Sequence, residues 1–307
     1  ILIGLVGSEM CIRDRSFQIR AATVIGILIL ALNLWRASFI RHPFIALKTW
    51  TYRAVWFPFI LYIVIDILLA PSHLFEHIYM ESILGYDALN VISLNWAVLL
   101  GIIVGAGFTF FTFSRRKWRY KTMTVIAFFS ITGYLMCFYF GIDYALPKET
   151  LFVPLFLRSF GYVIIAICFL TVLSRVPFQH FFQAVSVQSF VSAGFGGALG
   201  TAILGHALNG AMKKNSMLLG SVVDHVNPFI SRIPVGEVYG AVQQQALMVS
   251  MKELYGWLTL MALFCLLAFL VYESDIRPYK VLHPTYRSIR RFVKHELRID
   301  KKLEATA

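Results

Sequence analysis

Apolar residues in this chain come in blocks of about twenty, the length at which a helix spans the hydrocarbon core of a bilayer. Seven such blocks predict seven transmembrane helices. They run from about Ile19 to Trp35, Tyr52 to Ala70, Ala88 to Phe113, Thr122 to Phe140, Leu151 to Leu173, Phe181 to Leu208, and Leu254 to Tyr272. The second block contains Pro58 and stops at Pro71; the fifth has Pro154 in its first turn. A helix kink and a first-turn proline account for both without any function. The stretch from Asn209 to Lys252 reads as a long loop, whose second half, from about Val235, is expected to continue as helix into the seventh span. Seven spans leave no room for a separate soluble domain.

Composition agrees with this pattern. The chain is 58% hydrophobic and 14% charged, with a mean hydropathy of +0.71. A soluble domain could not hide that much apolar surface, so an all-α integral membrane protein is expected. A net charge of +12 raises the question of nucleic acid. Its distribution answers the question. Arg36, Arg41, Lys48 and Arg53 flank the first connection; Arg115, Arg116, Lys117, Arg119 and Lys121 crowd the third; Arg175 sits in the fifth; and a basic run from Arg277 to Lys302 follows the last span. These places alternate, so they lie on one side of the membrane, the cytoplasmic side by the positive-inside rule. The opposite side has Lys148, Lys213, Lys214, Arg232 and Lys252, and the 71–86 loop has no lysine or arginine. The charge is therefore assigned to topology, and no nucleic-acid partner is expected. Cys11, Cys137, Cys168 and Cys265 lack metal-ligand spacing. No phosphate loop, metal cluster or nucleophile triad appears, so neither an enzyme nor a cofactor is expected.

The ends carry separate readings. Val6 to Arg15 looks like a translated sequencing adaptor, and the chain starts on Ile1, so residues 1–15 are set aside and a longer parent protein is expected. Ile289, Phe292, Val293 and Leu297 stand at helical spacing among basic residues in the tail. That spacing suits either an amphipathic helix on an anionic leaflet or a solvated tail.

Candidate chemistry gathers between Phe156 and Gly205. The fifth span carries Arg158 inside its apolar run, and the sixth ends in small residues. Ser192, Gly196 and Gly200 form one row at spacing four; Ala193, Gly197, Thr201 and Gly205 form another. Such rows let helix backbones touch in lipid, either against a second body or within one bundle. Asp66 is a charge inside the second span, about four residues from its expected outer end. Asn33, Asn95, Gln183 and Gln188 are polar positions suited to substrate contact or to interhelical hydrogen bonds, and His206 stands near the outer end of the sixth span. The aromatic content, 27 Phe and 14 Tyr, suits an apolar drug cavity and a lipid-facing surface equally.

Several of these stretches, in order, resemble a known family. Arg158-Ser159-Phe160-Gly161, Leu170-Thr171, Arg175-Val176-Pro177, Gln188-Ser189-Phe190 and Gly196 to Ala202 are similar to the late helices of fourteen-helix drug:proton antiporters of the major facilitator superfamily, the EmrB-like exporters in particular. His42 to Leu47, Gly85 to Ala88 and Gln245 to Ser250 extend the resemblance over nearly everything after residue 20. Two places depart from the pattern. The connection from Phe113 to Lys121 is basic without the usual glycine and aspartate, and Val163 stands where a second glycine is expected.

The resemblance implies a linker helix and loop over 16–50, a C-terminal six-helix bundle over 51–273 built of two inverted three-helix repeats, and a basic cytoplasmic tail over 274–307. It also implies a missing N-terminal half, which the small-residue row of the sixth span would face. By that resemblance Asp66, Arg158 and Gln188 line a proton and substrate pathway, and Ser192, Gly196, Gly197, Gly200 and Gly205 serve helix packing and gating. The function expected is proton-coupled efflux of amphipathic small molecules across a bacterial inner membrane, with a periplasmic adaptor and an outer-membrane channel as partners by analogy. A self-contained seven-helix receptor or channel is the alternative.

Overall fold

The computed structural model describes residues 17–39, 53–116, 118–144, 146–174, 178–222 and 234–271. The adaptor-like leader, the His42–Leu47 link, Arg175–Pro177 and the basic tail lie outside them. The described residues are almost wholly helical, without a strand, and six of the helices are long and apolar enough to cross a membrane. In lipid no water satisfies backbone amides, so a chain this apolar can span only as closed helices. The protein is a multi-pass, all-α membrane protein.

Helix α1 (Phe17–Phe39) covers the expected first span. Val24, Ile25, Leu28, Leu32, Trp35 and Phe39 on it are all exposed, and its described apolar stretch, Val24–Asn33, is shorter than the other six. An apolar face exposed in this way suits lipid.

The second span differs from expectation. Helix α2 (Arg53–Leu69) does not end the span at Pro71; α3 (Pro71–Ile78) and a π-helical turn (Tyr79–Ile83) carry it on to Ile83. Proline at the first position of a helix loses no hydrogen bond, so Pro71 starts α3 instead of stopping the chain. The 71–86 stretch, read as a loop, is thus helical over most of its length. Gly85, at φ 63°, makes the turn that follows.

Helices α4 (Ala88–Phe111), α5 (Tyr120–Gly141) and α6 (Phe152–Leu173) form the core of one compact unit with the end of the last helix. Glycine sets their spacing. A Cβ on Gly101 would lie 2.7 Å from the Phe156 carbonyl oxygen, one on Gly105 would lie 3.1 Å from that of Phe160, and one on Gly161 would lie 2.8 Å from that of Ala127. Gly101 and Gly105 meet successive turns of α6 in rising order, so α4 and α6 run the same way. Gly161 meets Ala127 and Ile131 while Gly133 meets Leu157, so α5 runs against α6. The Ser130 hydroxyl, donating to the Leu157 carbonyl at 2.7 Å, ties the same pair. Most other hydroxyls here bond back to their own helix, as Thr109 does to Gly105 and Ser159 to Leu155. The Gly101-x-x-x-Gly105 pair was missed in the sequence, although its spacing is the one sought elsewhere.

The unit's ends match the alternation read from loop charge. The Lys121 ammonium caps the last helix at the Leu270 carbonyl, at 2.7 Å. At the opposite ends, Lys148 donates to the Asn90 side-chain oxygen and Tyr86 to the Leu146 carbonyl.

The other unit contains α2, α3, one long helical run and the first part, to Leu254, of another. Helix α7 (Phe178–Val191), a π-helical segment (Ser192–Gly200) and α8 (Thr201–Val222) follow without a break. Helix α9 (Val235–Val271) has 37 residues, roughly 55 Å at 1.5 Å per residue. Both runs exceed a hydrocarbon core of about 30 Å. Helix therefore continues to Val222 where a loop was expected after Leu208, and the expected helical approach from Val235 is present. The extensions meet through Asn215, buried, whose amide donates to Ser250 Oγ at 2.9 Å, and through the exposed Lys214–Glu253 pair at 3.2 Å. The ion pair contributes little, about 0–1 kcal/mol; the buried amide holds the register.

Backbone contact at Gly101 and Gly161 leaves no room for a side chain. Gly101→Leu and Gly161→Leu are expected to cost about 1–3 kcal/mol or more, seen as loss of a monodisperse peak and a lower melting temperature in detergent. Gly197→Ala, whose Cβ would meet nothing within 4 Å, is expected to melt like the parent.

Candidate functional site

Phe59, Ile63 and Asp66 lie at positions i, i+4 and i+7 of α2, on one face of the helix. Phe59 and Ile63 pack against Val187 and Val191 of α7. One turn further along, the Ser192 hydroxyl donates to the Asp66 carboxylate. The π-helical segment that starts at Ser192 packs on α2 as well. Gln188 stands between Val187 and Ser192 on the wheel of α7, so it belongs to the same contact face.

Asp66 is 7% exposed. Serine reaches one of its oxygens; Oδ2 is buried with no hydrogen-bond partner among the described residues, and so is Oε1 of Gln188. Both acceptors lie on the helices that make this contact. Charge buried in lipid is costly unless it is protonated, paired or fully hydrogen-bonded. The arrangement is therefore suited to taking up a positive charge.

Depth strengthens this. Asp66 was expected about 6 Å from the outer end of its span. Since the span continues to Ile83, the aspartate lies seventeen residues, about 25 Å, from that end and thirteen residues, about 20 Å, from Arg53. It lies inside the apolar run Phe59–Ile83, seven residues from its start. The early end assumed at Pro71 had made it look interfacial.

The small-residue rows also change. A π-helix bonds i to i+5, so residues four apart no longer stack in line between Ser192 and Gly200. Gly197 is exposed, whereas Gly200 and Gly205 are buried within the chain. The side-chain surroundings of Gly196 lie outside the described residues. Part of this stretch therefore serves packing inside its own unit.

Arg158 belongs to the other unit, on α6, half-buried and engaged in an interaction. It lies one turn from Leu155 and two from Leu151 and Ile165, all buried. Among the polar candidates, Asn33 donates to the Ile29 carbonyl of its own helix at 2.9 Å, Gln183 is engaged, and Asn95 and His206 are exposed. Glu76 on α3, 6% exposed and engaged, is a second buried carboxylate. The sequence reading missed it because Pro71 had assigned its stretch to a loop. Cys137, Cys168 and Cys265 are free thiols, and no group of three or more His, Cys, Asp or Glu is placed to hold a metal among the described residues.

Removing the donor isolates the carboxylate. Ser192→Ala is expected to lower stability by about 1–3 kcal/mol, read as a lower melting temperature in detergent. Ser192→Thr, which keeps the hydroxyl, should recover most of it.

A scan against protein-family models finds no match to this chain, and a search of curated proteins finds none either.

Proposed function

We propose that this chain is the C-terminal transport bundle of a proton-coupled exporter of amphipathic small molecules, of the fourteen-helix major facilitator type, with Asp66 as its proton-carrying group. The observation that carries the reading is a buried carboxylate inside an apolar span, held by one hydroxyl and with its second oxygen unpartnered among the described residues. Ionisable groups at such depth mark ion and substrate pathways.

The helix pairing supports the reading. Within one unit the second span packs on the sixth; within the other the third packs on the fifth. Exchanging spans two to four with spans five to seven turns one pairing into the other, as two three-helix repeats require. Under this exchange the second and fifth spans correspond, and they are the spans that carry Asp66 and Arg158. Protonation of Asp66 removes its charge and weakens its bond to Ser192, which leaves the π-helical segment freer to re-pack. π-helical turns recur at functional sites for this reason. Arg158 supplies a fixed positive charge on the corresponding span. An N-terminal half of the same transporter, a bacterial inner-membrane location with the tail in the cytoplasm, and an adaptor and outer channel belong to the same proposal, by resemblance.

In everted vesicles carrying the full-length transporter, Asp66→Asn is expected to abolish drug-driven proton release while the protein still reaches the membrane. Arg158→Ala should impair it, and Gly200→Leu should block export at normal expression. Intact proton coupling in Asp66→Asn removes the aspartate from the mechanism; silence of Arg158→Ala as well removes the pathway.

A further inference from the structure

We propose that Asp66, Gln188 and Ser192 form a binding site for a single sodium ion. The proposal rests on the transport reading only in taking this cluster as the coupling site; the binding argument is independent of it.

Asp66 and Ser192 are hydrogen-bonded where α2 packs on the π-helical segment, and Gln188 stands one turn before Ser192 on the same helical run. Asp66 Oδ2 and Gln188 Oε1 are both buried and both lack a hydrogen-bond partner among the described residues. Acceptors are rarely left so in a buried site. A cation held between them would satisfy both; Phe59, Val187 and Val191 pack together beside them.

The donor set narrows the ion. Carboxylate, amide and hydroxyl oxygens are hard ligands, matched to alkali and alkaline-earth ions, whereas transition metals favour imidazole and thiolate. Charge then selects valence. One carboxylate balances one positive charge; a divalent ion would leave a net charge uncompensated in a low dielectric.

The experiment is direct binding of radiolabelled sodium to the purified full chain in detergent, with choline maintaining ionic strength. Saturable binding is expected, displaced by unlabelled sodium and much less by potassium. Asp66→Asn should remove it, and Gln188→Leu and Ser192→Ala should each weaken it by about tenfold. Each variant is first shown to elute as one species and to melt cooperatively. No saturable binding in the parent protein overturns the site. So does binding that survives in Asp66→Asn, or that ignores both Gln188→Leu and Ser192→Ala. Equal displacement by potassium overturns the assignment to sodium. Drug-driven proton release judges the transport reading separately: release without sodium binding removes only the sodium site, and sodium binding without export removes only the transport reading.

Discussion

Hiding apolar surface gains nothing in a bilayer, because lipid tails are as apolar as leucine. What holds such helices together is close approach, where many weak dispersion contacts add up. In this protein the closest approach surrounds α6. Gly101 and Gly105 admit its backbone from one side, and Gly161 admits α5 from another. The outward faces of the same helices, with Trp96, Ile103, Phe110 and Phe129 exposed, suit lipid. Arg158 is thus carried on the most tightly fixed helix of its unit, while Asp66 lies where a helix with irregular pairing packs on another.

The rough position of six of the seven expected spans was legible because length and apolarity are the whole requirement for crossing lipid. Helix ends were less so. Pro71 reads as a stop, yet proline at a first turn is neutral, and nothing in the residues around it distinguishes the two cases. That one boundary placed Asp66 farther from the end of its helical run and brought Glu76 into a helix. The helical run past Leu208 was hidden for the opposite reason: Lys213, Lys214 and Asn215 look like loop because they extend beyond the apolar core.

Asp66 was legible as a charge in an apolar run; its partner was not. Ser192 had been read for its size, as part of a packing row, and its hydroxyl matters more than its smallness. The row itself assumed α-helical spacing. A glycine-rich helix carries no sequence mark that separates i to i+4 from i to i+5 pairing, since the difference lies in how neighbouring helices crowd it.

The continuous run from Phe178 to Val222 also has a mechanical side. From Gly200 to Val222 is roughly 33 Å of unbroken helix. A tilt of about 10° at Gly200 displaces the far end by about 6 Å, given that helix length. Asn215 passes such a displacement to Ser250 on α9, which reaches back toward the membrane as one rod. A change of charge at a single carboxylate is small in distance; joined to two long levers, it acquires a stroke.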